Sequence, residues 1–231
     1  MAGKKQFDVD IALDAAMIQF WRAGYADTSL DDLSGATGLN RSSLYSSFGD
    51  KESLFLRCLD RYAIRYGDRY EQALSSAASG DPLRAIRAFF EVTLRRIADP
   101  DVPDGCLVAQ TAMATPVLSP AIATRAIEAV GRQHARLRTA LTTAELPEGD
   151  AENYATHITA VNQSLALMSR ARASQQQLRT IVDISMTALS QALRIFSKFL
   201  RAASPRLVYS TARIPARYRA LKTSTLTSGS L

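Results

Sequence analysis

Apolar residues recur at three- and four-residue steps along almost the whole of the 231-residue chain, and no stretch shows the sustained alternation that a half-buried strand requires. That periodicity predicts an all-α protein. Hydrophobic residues make up 47% of the sequence and charged ones 22%, enough apolar surface for a folded core and too much for a disordered chain. The run 106–124 is uncharged but broken by Pro116, Pro120, Gln110 and hydroxyl residues, which excludes a membrane helix there. No N-terminal targeting signal is expected either, because no apolar segment follows Lys4 and Lys5. The two cysteines, Cys58 and Cys106, make no disulfide framework, and the expected compartment is the cytoplasm.

Charge is distributed unevenly. The net charge is +6, yet residues 194–231 hold eight Lys or Arg and no acid, so residues 1–193 sum to −2. The basic balance therefore belongs to a C-terminal tail, read as 201–231, whose Ser- and Thr-rich composition predicts disorder. Residues 1–66 hold eight basic and nine acidic residues, so DNA binding cannot be inferred from global charge.

Stop and start signals divide the helical pattern. A first helix spans about 8–23, with Leu13, Ala16, Met17 and Phe20 on one face, and ends at Gly24. Thr28 or Ser29 caps a second, and Ser29-Leu30-Asp31-Asp32 approximates a capping box. Gly38 suits a left-handed turn, after which Asn40 caps a short third helix reaching Ser46. Asp50 opens a fourth that runs towards Gly67 or beyond. Further helices are predicted from Asp81-Pro82, from Cys106, from Ser119-Pro120 to about 142, over about 151–174 and over about 175–196. In the penultimate one, Tyr154, Ile158, Val161, Leu165 and Met168 step 4, 3, 4, 3, the spacing of a seam that either pairs with a second copy or closes the chain's own core.

The second and third helices, with Gly38 in the turn between them, have the spacing of a helix-turn-helix. Such a unit places its second helix in the major groove, where Asn40, Arg41, Ser42, Ser43 and Ser46 are the side chains able to face outwards. Arg grips guanine bidentately, while short hydroxyls and the Tyr45 hydroxyl suit backbone positioning. Leu44 and Phe48 are expected to point inwards. Spacing alone is a moderate signal, because many such units are purely structural.

The order Gly24-Tyr25, Thr28-Ser29-Leu30, Asp32-Leu33, Thr37-Gly38-Leu39-Asn40, Leu44-Tyr45, Phe48 and Lys51-Glu52-Ser53-Leu54 closely resembles the N-terminal domain of TetR-family transcriptional regulators. The resemblance implies a DNA-binding domain over 5–66 and an inducer-binding and dimerisation domain over 67–200. It places Thr28, Tyr45 and Lys51 at phosphate-contacting positions, with Arg41 and Ser43 among those facing bases. Ser42 stands where members often have Gly. Gly105-Cys106-Leu107 resembles a subgroup with this element before the ligand region, some members of which respond to electrophiles. Cys106 reads either as a buried structural cysteine or as a sensor of that kind. Phe90, Met113 and Met168 are further candidates for a cavity that takes a small-molecule inducer.

The implied function is a ligand-relieved repressor that binds a palindromic double-stranded DNA operator as a homodimer. Alternatives are an activator of the same fold, or a helical small-molecule-binding protein without an operator. No phosphate-binding glycine loop, nucleophile elbow or dinucleotide fingerprint occurs, so no enzyme and no cofactor are expected. His134 and His157 lack neighbours at metal-ligand spacing, so no metal is expected.

Overall fold

The computed structural model describes residues 8–75, 81–143 and 146–203, and among them it contains α-helices and one short 3-10 turn but no strand. The helices are α1 (Val9–Ala23), α2 (Leu30–Thr37), α3 (Arg41–Phe48), α4 (Lys51–Ser75), α5 (Pro82–Ala98), α6 (Leu107–Met113), α7 (Pro120–Thr143), α8 (Glu148–Arg170) and α9 (Gln175–Ala203). The chain divides into two compact units, Met1–Ser190 and Gln191–Leu231. Of the second, the described residues continue α9 to Ala203; the rest of the basic tail, together with Lys4 and Lys5, lies outside them.

Local chemistry sets the helix ends as the sequence predicts. Asp8 caps α1 by accepting from the Asp10 and Ile11 amides, and Gly24 ends it at a φ of 91°. Asp81 caps α5 and is followed by Pro82, whose missing N–H costs nothing in a first turn. Some ends differ from expectation: α3 reaches Phe48, α8 begins at Glu148 and finishes at Arg170, and α9 runs on to Ala203, while α4 continues past Gly67 as its open end allowed. At Gly67 a Cβ would come within 2.8 Å of the Arg136 guanidinium of α7, the end of a long side chain that can move aside.

Continuity of α4 has an architectural consequence. One helix runs through position 66, and α1 packs on it at one end while α5 and α7 pack on it further along. Phe20 and Trp21 of α1 are fully buried; Phe20 meets Phe55 edge-on at 4.8 Å, and Trp21 meets Tyr62 edge-on at 5.0 Å. Cys58 is buried in the same layer, and burial pushes its thiol pKa up, as suits a packing residue. The buried Arg96 guanidinium donates to the Gly105 carbonyl and lies over the Trp21 and Tyr66 rings at 5.6 and 5.7 Å.

The seam expected on α8 turns largely inwards. Ile158 and Leu165 are fully buried in the chain's own interior, which leaves Met168, Leu167 and, on α9, Ile184 as exposed apolar side chains. Between α4, α5 and α8 runs a buried chain of hydrogen bonds, from Tyr70 Oη to Thr93 Oγ1 at 2.7 Å and from Thr93 Oγ1 to Asn162 Oδ1 at 2.5 Å. Thr93→Val keeps the shape but strands both partners. It should lower stability by about 1–3 kcal/mol in urea denaturation.

A surface network also ties α1 to α4. Arg61 donates from Nε to Asp14 Oδ1 at 2.7 Å and from Nη1 to Asp10 Oδ1 at 2.7 Å, and Arg65 donates to Asp14 as well. The Arg61 hydrogen bond, helped by the charges of Arg65 and Arg61, holds the Asp14 carboxyl below the usual range against its partial burial. A depressed carboxylate contributes stability above its unfolded pKa of about 3.9 and loses it as pH falls through the lower folded value. Wild-type stability should therefore drop more steeply below about pH 4 than that of Asp14→Asn, as measured by urea titrations at several pH values.

Candidate nucleic-acid interface

The geometry of the α2–α3 unit is built from short-range caps. Ser29 Oγ accepts from the Asp32 amide at 3.1 Å, and the Asp32 carboxylate accepts from the Ser29 amide at 2.8 Å, completing the capping box. The Ser29 hydroxyl also donates to Asp32 and, with the Ser29 amide, keeps that carboxyl below its ordinary pKa. Gly38 takes the left-handed conformation, φ 69° and ψ 10°, and its amide donates to the Ser34 carbonyl. Thr37 stitches the turn, donating to the Leu33 carbonyl at 2.7 Å and accepting from the Leu39 amide at 3.2 Å. Asn40 Oδ1 then accepts from the Ser43 amide at 2.8 Å and starts α3.

Sidedness follows from those starts. Leu44 and Phe48 are buried, as is Leu33 of α2, so α3 has one face committed to the core. Asn40, Arg41, Ser42, Tyr45 and Ser46 are exposed, and Ser43 is half-buried. Tyr45 is 49% exposed, a large aromatic with its hydroxyl available to a partner. Ser46 donates to the Ser43 carbonyl at 3.1 Å and keeps its oxygen as an acceptor.

Two of the predicted contact residues sit differently. Thr28 is fully buried and its hydroxyl donates to the Gly24 carbonyl at 2.6 Å. In this conformation it shapes the turn into α2 and presents no oxygen at the surface. Lys51 is half-buried, with Nζ 4.5 Å from the centroid of the Tyr25 ring and 3.5 Å from the Ala26 carbonyl. Desolvation there lowers its pKa, against the opposing charges of Asp27 and Asp32. Arg41, the one cation on α3, is engaged by a residue the sequence reading passed over. Asp31 of α2 accepts from its Nε at 3.0 Å and from its Nη2 at 2.7 Å. The two are ten residues apart, and the helix-turn-helix angle is what brings them together.

A second region lies among α6, α7 and α8. A largely apolar cleft of about 370 Å³ is lined by residues including Cys106, Gln110, Met113, Gln163, Leu167 and Arg170. Of the four cavity candidates it gathers Cys106 and Met113. Phe90 lies in the solid core, and Met168, on α8, is partly exposed and stands outside this lining. Cys106 is the N-cap of α6, its Sγ accepting from the Ala109 amide at 3.5 Å. His134 meets Thr156 and Glu152, His157 meets Ser185, and the described residues hold no cluster of three groups fit for a metal.

Two cleft residues reach back to α1. Gln110 Nε2 donates to the Phe20 and Trp21 carbonyls at 3.2 and 3.1 Å, and Arg170 Nη2 donates to those of Trp21 and Arg22 at 2.7 and 3.2 Å. The Phe20 carbonyl also accepts from the Gly24 amide, whereas the Trp21 and Arg22 carbonyls belong to the last turn, where the helix supplies no donor of its own. Arg170 runs so close over Gly105 that a Cβ there would stand 2.8 Å from its Cγ and Nε. Neither link is visible in sequence, since the partners lie 90 and about 149 positions apart.

Known proteins match both halves of this arrangement. Residues 12–58 match the model of the bacterial regulatory proteins of the tetR family, and residues 82–184 match that of the LmrA/YxaF-like transcriptional regulator C-terminal domain. The HTH-type transcriptional repressor ComR of Escherichia coli strain K12 is 39% identical over 104 residues, 45% of this chain and 49% of ComR. The match thus spans about half of ComR's length. The HTH-type transcriptional regulator YezE of Bacillus subtilis strain 168 is 29% identical over 197 residues, covering 82% of this chain and all of YezE.

Among solved structures, a cysteine-substituted form of the TetR family regulator CifR complexed with 26-base-pair operator DNA superposes with a TM-score of 0.69. It is 28% identical, over 80% of this chain and 98% of that one. Reduced NemR of E. coli, 19% identical with a TM-score of 0.65 over 76% of this chain and 94% of that one, shares the fold. The chain belongs to the TetR family of DNA-binding transcriptional regulators.

Removing the Gln110 amide should loosen the end of α1 while leaving the core in place. In Gln110→Ala, amide hydrogen exchange over residues 21–24 is expected to quicken roughly 5-fold, the value of about one hydrogen bond, with exchange in α4 unchanged.

Proposed function

We propose that the protein is a repressor that binds a palindromic operator as a homodimer and releases it when a small molecule fills the cleft among α6, α7 and α8. The observation that carries the DNA part is α3 itself: a capped helix with two apolar anchors inwards and Arg41, Ser42, Tyr45 and Ser46 outwards. ComR's description as a repressor and the operator complex of CifR support the same reading. Residues 5–66 act as the DNA-binding part and 67–200 as the inducer-binding and dimerising part, joined through the continuous α4. A protein that works on DNA in this way resides in the cytoplasm, and no described helix is long and apolar enough to cross a membrane.

The dimer is supported by apolar side chains left exposed on α8 and α9 outside the cleft, Met168 and Ile184. Two copies would set their α3 helices about one DNA turn apart, ~34–36 Å. Relief by a ligand is supported by the Gln110 and Arg170 links, because an occupant of the cleft competes for the space of side chains that hold the end of α1. It shifts DNA affinity only as far as it prefers the conformation that lets go.

Fluorescence anisotropy on DNA from upstream of the protein's own gene tests the DNA part. At fixed salt and with scrambled competitor, Arg41→Ala should weaken binding about 5- to 150-fold, the range for one lost base contact. Tyr45→Phe should cost about 5-fold, one hydrogen bond. Unchanged affinity in both variants refutes the assignment of α3 as the recognition helix.

A further inference from the structure

We propose that Asp31 is a specificity-determining residue of the interface: it holds Arg41 as an oriented reader of base edges and cancels the charge that Arg41 would otherwise offer to phosphate. This rests on the reading of α3 as the recognition helix. Arg41 makes three contacts with a single carboxylate, from Nε to Oδ1 at 3.0 Å and from Nη2 to Oδ1 and Oδ2, both at 2.7 Å. The pair is open to solvent, with side-chain exposures of 59% for Arg41 and 75% for Asp31, so it adds little to folding. Its position gives it a different consequence.

A guanidinium is a planar fork of five donors. Asp31 occupies the Nε–Nη2 edge, and Nη1 enters none of the three contacts. The plane of the fork is thereby fixed while its outer edge stays available for a pair of acceptors such as guanine O6 and N7. An arginine ordered before binding gives up less freedom when it meets its base.

The second effect concerns charge. Non-specific affinity grows with each cation that displaces counterions from phosphate. Arg41 stands against a carboxylate, and Lys51 lies half-buried on Tyr25. Arg57, the next cation along α4, donates to the Ser47 carbonyl at 3.2 Å and lies 5.0 Å from the centroid of the Phe48 ring. Arg41 is the one of the three whose charge is met by a carboxylate, so α3 itself presents directed donors with little net positive charge. Discrimination gains from that balance, because scrambled DNA offers charge but no matching acceptors.

The test uses the full chain, with wild type, Asp31→Asn, Arg41→Ala and the double variant measured by anisotropy on operator and scrambled duplexes at two salt concentrations. Asp31→Asn preserves side-chain shape, and the capping box of α2 uses Ser29 and Asp32 instead. The expected result is tighter binding of scrambled DNA, with a salt slope steeper by about 1, and an operator-to-scrambled ratio reduced roughly 5-fold or more. That change should vanish in the Arg41→Ala background. A ratio preserved in Asp31→Asn, or a change that persists without Arg41, overturns the proposal alone. A wild-type chain that binds both duplexes alike overturns the functional reading and this proposal with it.

Discussion

The position of the helix-turn-helix depends on the last turn of α1. Its side chains Phe20 and Trp21 are fully buried against Phe55 and Tyr62 of α4, and its carbonyls accept from Gln110 of α6 and Arg170 at the end of α8. One turn of helix therefore carries two kinds of restraint, apolar packing that is strong and undirected, and hydrogen bonds that are weaker but aimed. Gly24 and Thr28 follow at once, and the Thr28 hydroxyl closes that turn onto the Gly24 carbonyl. The turn that leads into α2 is thus tied directly to the terminus of α1.

Electrostatics in this chain works by placement. The helix-turn-helix region is near neutral, and its cations are individually committed: Arg41 to Asp31, Lys51 to Tyr25, Arg61 to Asp14 and Asp10. Arg61 holds α1 to α4 and is a structural cation, whereas Arg41 projects from α3 into solvent. Sorting cations by what they already touch separates those that fix the fold from those that can be spent on a partner. Net charge alone cannot make that distinction.

Much of the fold was legible because helix caps are local. Ser29 with Asp32, Gly38, and Asn40 with Ser43 each interact within three or four residues, and the structure shows these contacts as the sequence predicts. The end of α4 was left open at Gly67, and the helix runs on past it to Ser75. The heptad-like steps on α8 spelled a buried stripe but not what covers it, and Ile158 and Leu165 turned out to belong to the chain's own core. The outward residues of α3 were readable from helical spacing. Thr28 was not, since its burial follows from how the turn folds. Asp31 beside Arg41, and Gln110 and Arg170 beside α1, are long-range pairings that no local pattern encodes.

The most direct test of a DNA-reading surface that relies on placed groups is a salt series on wild-type protein, comparing an operator duplex with a scrambled one. A surface of this kind predicts saturable operator binding that outlasts competitor, with a moderate salt slope set by a few phosphate contacts. Steep, sequence-blind binding that disappears as salt rises would contradict it, and would assign the DNA affinity to the basic C-terminal residues instead.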